Sequence, residues 1–339
     1  MHGFWRFNRA TQTAPDVLAE PHRMACVVAS CRDEGPYLLE WIAHHRAVGF
    51  DHIFLYTNDI QDGSDALLQA LARAGEITWI NQTGPAPLPP HRAYAHAMNV
   101  LPRIHDYRWT LIAALDEYFG FNPRQFGGVA DFLACQEGRR DDAVVLPRLL
   151  HVARPDDVWH DAPCIMRFPL REAAVHDHLK SIFRTNSAWN TNAYFPDQRA
   201  DPSGLELTED ACTSDAWIAQ YKFKSAPEAV MQIQRGLGDA TASRQVAIDA
   251  MARPFVTLSR RRALVEDGRT AACAAGLPAA QARLRALPGV AASDKAIKEE
   301  FATRMHDACL NFLREIPPAG EAEECATFRA LLRQQRIHA

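Results

Sequence analysis

From residue 25 to residue 120 the chain alternates short apolar runs with amphipathic stretches, and most of the runs end in a polar turn. Residues 25–30 (ACVVAS) are apolar and β-branched enough to predict a buried strand, closed by the turn Cys31-Arg32-Asp33-Glu34-Gly35. Pro36 then opens a predicted helix in which Leu38, Leu39, Trp41, Ile42, His45 and Val48 recur near helical spacing, with Gly49 just past its end. Residues 52–57 (HIFLYT) predict a second strand and residues 58–63 a turn. Ser64 caps a helix that carries Leu67, Leu68 and Leu71 on one face and closes at Gly75. Residues 76–80 (EITWI) predict a third strand. The Pro-rich segment 83–90 is incompatible with a helix interior and predicts an extended loop, followed by a helix over 91–103 and a wholly apolar strand over 109–115.

Strands and helices in this order predict right-handed βαβ units, hence an α/β fold with a mostly parallel, Rossmann-like sheet flanked by helices. Ligands of such sheets bind beyond the carboxyl ends of the strands, which directs attention to the polar residues after Ser30, Thr57 and Leu115. Further on, residues 143–147 (AVVLP) predict another strand, and the chain to about residue 238 reads as irregular, aromatic and Pro-rich. Ala-rich, charge-studded segments from residue 240, such as 293–313, predict a helical appendage. The expected organisation is a tail over 1–22, an α/β domain over 23–240 and a mainly helical region over 241–339, without internal repeats.

Composition narrows the functional classes. A chain of 339 residues with 47% hydrophobic residues can bury a sizeable core. A net charge of -4 gives no global drive toward nucleic acid or anionic membranes, so no nucleic-acid partner is expected, while a local basic patch stays open. The eight cysteines are scattered without a CxxC pair, which predicts reduced thiols and no zinc site. The first residues lack an apolar signal core, and no stretch of roughly 18 apolar residues occurs, so a cytoplasmic protein is expected, with peripheral membrane contact left open.

Three polar turns carry candidate chemistry. Arg32-Asp33-Glu34 follows the first strand: its acids suit ribose hydroxyls or a base edge and Arg32 a phosphate, and the same acids suit a helix N-terminus. Asn58 and Asp59 follow the second strand, whereas Asp62-Gly63-Ser64 also fits an ordinary turn and helix cap. Asp116 and Glu117 end an otherwise apolar strand, where a carboxylate needs hydrogen bonds, a cation or a metal; hard oxygen ligands suit Mg²⁺ or Mn²⁺ on a diphosphate, and loop amides are the other partner. Glu209, Asp210 and Asp215 are further acids, each readable as a general base or as a surface acid.

The segment CVVASCRDEGPYLLEWIAHHRAVGFDHIFLYTNDIQDGSDALL, followed by HRAYAHAM and LDEYF, resembles the bacterial family 2 glycosyltransferases and their relatives in family 92. The stretch Leu39-Glu40-Trp41 with His44-His45-Arg46 and Gly49 is its most specific part. A second region is similar too: Lys180-Ser181-Ile182 with Arg184, Gln220-Tyr221, Lys224-Ser225 and Arg235-Gly236. The resemblance implies a GT-A fold, a nucleoside diphosphate sugar donor (a UDP-sugar first), usually a divalent metal, and probe-worthy transfer of a hexosyl group to a glycan or glycoconjugate hydroxyl with inversion, as in polysaccharide biosynthesis. Carried over by position, it implies Glu34 and Asp59 at the nucleoside, Ser30, Arg32 and Asn58 also at the donor, Lys180, Lys224 and Arg235 at the diphosphate, and Asp116, with Glu117, at the metal. The chain departs from the pattern at Ala114, where the first Asp of Asp-x-Asp is expected, at Gln220, where a His is usual, and at residues 190–194. A relative that binds nucleotide, or acts as a scaffold, without turnover is the alternative.

Overall fold

A computed structural model describes residues 20–82, 89–137, 143–187, 215–236, 243–259, 263–315 and 322–335. Four strands, β1 (Arg23–Cys31), β2 (His52–Thr57), β3 (Thr78–Asn81) and β4 (Tyr107–Ile112), lie in the order β3-β2-β1-β4 with every neighbouring pair parallel. Between them run α1 (Gly35–Ala47), α2 (Asp65–Arg73) and α3 (Pro89–Asn99), in the expected βαβ alternation. The core of β1, Ala25 to Ala29, is fully buried, which is why it reads as a continuous apolar run and not as an alternation. The fold class is the expected one, α/β with a parallel sheet centre flanked by helices.

Two expectations about elements need correction. The fourth strand ends at Ile112 and not at Leu115; a turn follows, closed by the Glu117 N–H on the Ala114 carbonyl at 3.0 Å, and β5 (Glu117–Phe121) then runs back. Apolar residues can line such a turn because side chains from elsewhere satisfy its backbone groups. The strand expected at 143–147 is present and longer, β6 (Ala143–Val152), but the region after it, expected to be irregular, carries β7 (Leu170–Glu172), β8 (His176–Arg184) and β9 (Ala216–Phe223). β8 is antiparallel to β4 and β6, β9 is parallel to β6, and β5 is antiparallel to β9 with Glu117 opposite Gln220. Their partners are far apart in sequence, so no hairpin turn announces them. The strand directions bring the carboxyl ends of β1, β2, β4, β6 and β9 to one edge of the sheet, where β5 begins.

The remaining described elements are α4 (Val129–Ala134), α5 (Cys164–Arg167), α6 (Ala226–Arg235), α7 (Arg244–Ser259), β10 (Leu264–Glu266), α8 (Arg269–Cys273), α9 (Leu277–Arg285), α10 (Val290–Arg314) and α11 (Glu323–Gln334). α9 and α10 pack on α1, and α10 also meets α2 and α6. Covered by the sheet on one side and these helices on the other, α1 is buried from Gly35 to His45, not along one face only. Gly35 sits where the layers come closest: a Cβ there would lie 2.7 Å from Ile297 Cγ2 on α10 and 2.8 Å from Asp62 Oδ2. Ile297, Phe301 and Phe312 of α10 belong to the same hydrophobic core as β1 and α1. Among the described residues no helix is long and apolar enough to cross a membrane, and all the described cysteines are free.

Candidate active site

The turns after β1 and β2 are built against each other. Asp33 and Asp59 both adopt left-handed backbone conformations, with φ of 51° and 48°. Aspartate tolerates this region better than most residues with a Cβ. The Gln61 N–H donates to Asp33 Oδ1 at 2.6 Å, and the Gly35 N–H donates to Asp62 Oδ2 at 2.7 Å. The other Asp62 oxygen accepts from the Ser64 N–H and hydroxyl, so Ser64 serves Asp62 and makes no side-chain cap on α2. Asp62 is thus a latch between the two turns, and Asp59 is left on the cleft side.

The third turn carries Asp116, and α1 holds it. The Trp41 indole N–H is shared between the carbonyls of Ala114 (3.0 Å) and Glu117 (2.8 Å), on either side of Asp116. One helical turn on, His44 Nε2 meets the Phe119 carbonyl at 2.8 Å. Glu40 accepts from the Tyr118 hydroxyl at 2.7 Å and the Cys164 N–H at 2.6 Å. The Leu39-Glu40-Trp41 and His44 motif is therefore a clamp on β5. Asp116 itself is tied by its carbonyl to the Tyr221 N–H (2.7 Å) and by Oδ2 to the Gln220 amide (3.2 Å). Trp41→Phe keeps an aromatic ring but removes the shared donor, so a stability loss of about 1–3 kcal/mol is expected. If the clamp positions Asp116, kcat should fall more than KM rises; an unchanged kcat in a destabilised variant would show that Trp41 serves stability alone.

Ser30, Arg32, Glu34, Asn58, Asp116 and Arg235 converge on one cleft of ≈ 330 Å³. Asp59 lines an adjoining cleft of ≈ 460 Å³ that shares Arg32, Glu34, Gln232 and Arg235 with the first. Arg235 pairs with Glu34 at 3.0 Å. Burial disfavours its charge, but the carboxylates of Glu34 and Asp116 outweigh that and raise the guanidinium above its ordinary value. Two polar cleft residues were not foreseen, Lys222 and Gln232. Lys222 had a legible signal: Gln220 and Lys222 alternate with Tyr221 and Phe223 along β9, which places both polar side chains on one face at the strand's carboxyl end.

Other expected site residues lie elsewhere. Glu117 is 2% exposed, and its carboxylate meets Lys180 at 2.7 Å, Arg148 at 3.8 Å and the Ala114 N–H at 2.9 Å. Burial raises its carboxyl above the usual range and these partners hold it as a structural group, so neither Glu117 as metal ligand nor Lys180 as diphosphate cation reaches the cleft. Lys224 is also buried, with its ammonium 4.3 Å from the Tyr37 ring centroid and near Glu40. Asp215 sits at the far end of β9, its carbonyl on the Asn122 N–H; five strand residues from Gln220 put it roughly 16 Å from Asp116's partner. Glu209 and Asp210 lie outside the described residues, as do residues 190–194.

Among the described residues no group of three or more His, Cys, Asp or Glu side chains could hold a metal. The cleft carboxylates are Glu34, already paired with Arg235, and Asp116, with the Ala114 methyl beside it. An Mg²⁺ or Mn²⁺ shell calls for six or more oxygens. The described residues alone do not complete such a shell, so an ion here would need water and donor phosphate oxygens as well.

Fold and cleft together define an α/β protein with acidic and cationic turns gathered beyond the carboxyl ends of its parallel strands, the usual position of a nucleotide site. The sequence model of glycosyltransferase family 92 matches residues 26–125, which covers β1 through β5 and the three turns. A glycosyltransferase family 92 protein of Ricinus communis is 32% identical over 65 residues, 19% of this chain and 12% of that protein. Residues 1–349 of TarS from S. aureus, also solved in complex with UDP-GlcNAc, overlay with a TM-score of 0.32 and 12% identity over 92% of this chain and 91% of that one. HddC from Yersinia pseudotuberculosis gives a TM-score of 0.29 and 11% identity over 60% and 91%.

Proposed function

We propose that this chain is a GT-A type glycosyltransferase that takes a nucleoside diphosphate sugar, a UDP-sugar first, and transfers the hexosyl group to a glycan or glycoconjugate hydroxyl with inversion. The observation that carries this is the convergence of Glu34, Asn58 and Asp116, from the turns after three different strands, with Arg235 on one cleft. The family 92 match over the same strands supports it. In this reading Glu34, Asn58 and Asp59 hold the nucleoside, and Arg235 faces the diphosphate. Lys222 lines both this cleft and a further cavity of ≈ 790 Å³, and Gln220, the partner of Asp116, lines the latter. The acceptor would enter from there.

The bond from C1 to the diphosphate oxygen breaks with its electron pair on the leaving group, the acceptor oxygen bonds C1, and the acceptor proton passes to a base. Glycosyl transfer of this kind develops positive charge on the sugar ring, which a carboxylate at Asp116 stabilises. Thermal-shift titration with UDP, GDP, CDP and ADP tests the proposal. UDP at about 100 times its Kd should add about 2.7 kcal/mol of stability, with the other nucleotides weaker. No response to any nucleotide would sink it, and UDP binding without transfer from any UDP-sugar would favour the scaffold alternative suggested by Ala114 and Gln220.

A further inference from the structure

Resting on that donor reading, we propose that the chain holds the donor diphosphate with two fixed guanidiniums, Arg32 and Arg235, and the exposed ammonium of Lys222, in place of a divalent ion. All three line the cleft that also contains Asp116. Apart from Asp116, the acids that would otherwise build a metal shell are engaged or missing. Glu117 faces inward to Lys180 and Arg148, Glu34 is paired with Arg235, and Ala114 offers a methyl group.

The two arginines are preorganised. Arg32 donates from its guanidinium to the Arg235 carbonyl, and Arg235 Nη1 donates to the Arg32 carbonyl at 3.2 Å, so each is held by the other's main chain across 203 residues of sequence. These bonds use part of each guanidinium fork and leave further N–H groups for phosphate oxygens. Lys222 comes from β9, where its carbonyl accepts from the Gln232 amide of α6 at 3.3 Å. It lies two residues beyond Gln220 on the same strand face, its ammonium is 5.6 Å from the Phe223 ring centroid, and it is solvent-exposed. An exposed ammonium on a short strand end can follow the diphosphate at little desolvation cost, whereas the buried Lys180 and Lys224 cannot leave their partners. Cations held in place before the ligand arrives neutralise a phosphate without a metal.

Calorimetric titration of the full chain with UDP and with uridine, each in EDTA and in Mn²⁺, tests this. UDP should bind in EDTA, with Mn²⁺ changing its Kd by less than about threefold, and Lys222→Ala should weaken UDP by about 10- to 100-fold, the range of one charge-assisted hydrogen bond. Uridine, which lacks phosphates, should bind wild type and Lys222→Ala alike, and Lys222→Arg should keep most of the UDP affinity. UDP binding that appears only with Mn²⁺ overturns the cation site while leaving the donor reading standing. Equal weakening of UDP and uridine in Lys222→Ala overturns it as well, because the side chain would then be shaping the pocket and not meeting phosphate. Absence of UDP binding under both conditions removes the donor reading and this site with it.

Discussion

Asp116→Ala is expected to lower kcat for sugar transfer by about 10²- to 10³-fold, the scale of removing one preorganised charge from a transition state. The carboxylate is fixed by its backbone bond to Tyr221, by the Gln220 amide and by the Trp41 clamp on both flanking carbonyls, so little reorganisation remains when charge develops. Asp116→Asn should cost nearly as much, because it keeps the shape and removes the charge. Asp59→Ala should act mainly on KM, by about tenfold, through a lost positioning contact. Alanine is also less at ease than aspartate at a φ of 48°, so Asp59→Asn is the cleaner comparison. Steady-state kinetics on the four variants with a fixed UDP-sugar and acceptor decide it. Small and equal losses at both positions would remove Asp116 from the reaction.

Acidification should destabilise the fold through its buried histidines. His44 and His151 are buried, and each gives one ring nitrogen to a carbonyl, that of Phe119 or Phe168, at 2.8 Å. Their other nitrogens, His44 Nδ1 and His151 Nε2, are buried and have no hydrogen-bond partner among the described residues. A proton would have to settle on those atoms. Burial therefore lowers both imidazoles to about 4, and burial together with His44 lowers His45 further. Above pH 6.5 these groups are neutral in folded and unfolded chains alike and contribute nothing to pH dependence. Between about pH 6.5 and 4 the unfolded chain binds protons that the folded chain refuses, so stability falls as pH falls. The loss reaches about 3 kcal/mol per histidine by pH 4. Urea midpoints from pH 7.5 to 4.5 should drop steadily, and His44→Gln, which keeps an N–H donor without a titrating ring, should flatten the slope. A midpoint that stays level from pH 7 to 5 would contradict the neutral buried state.

Local pattern alone determined the parallel half of the fold: the apolar run at 25–30, the strand at His52–Thr57 and the glycines that close the intervening helices each follow from near-neighbour chemistry. It also located the polar turns with Arg32, Glu34, Asn58 and Asp59, because a strand that ends in a buried sheet must hand over to polar residues at its mouth. Which charges face the cleft was decided only in three dimensions. Asp116 and Glu117 are adjacent, yet one meets the cleft and the other a buried Lys180 that β8 brings alongside. Lys222 and Lys224 are two residues apart, yet the first stands at an open strand end while the second is buried over Tyr37 as the chain turns into α6. The antiparallel half, with β9 wedged between β6 and β5, has no local turn to announce it. A charge is drawn to whatever compensates its desolvation, and here the compensating groups lie 63 residues apart for Glu117 and Lys180 and 201 apart for Glu34 and Arg235, beyond the reach of any periodicity.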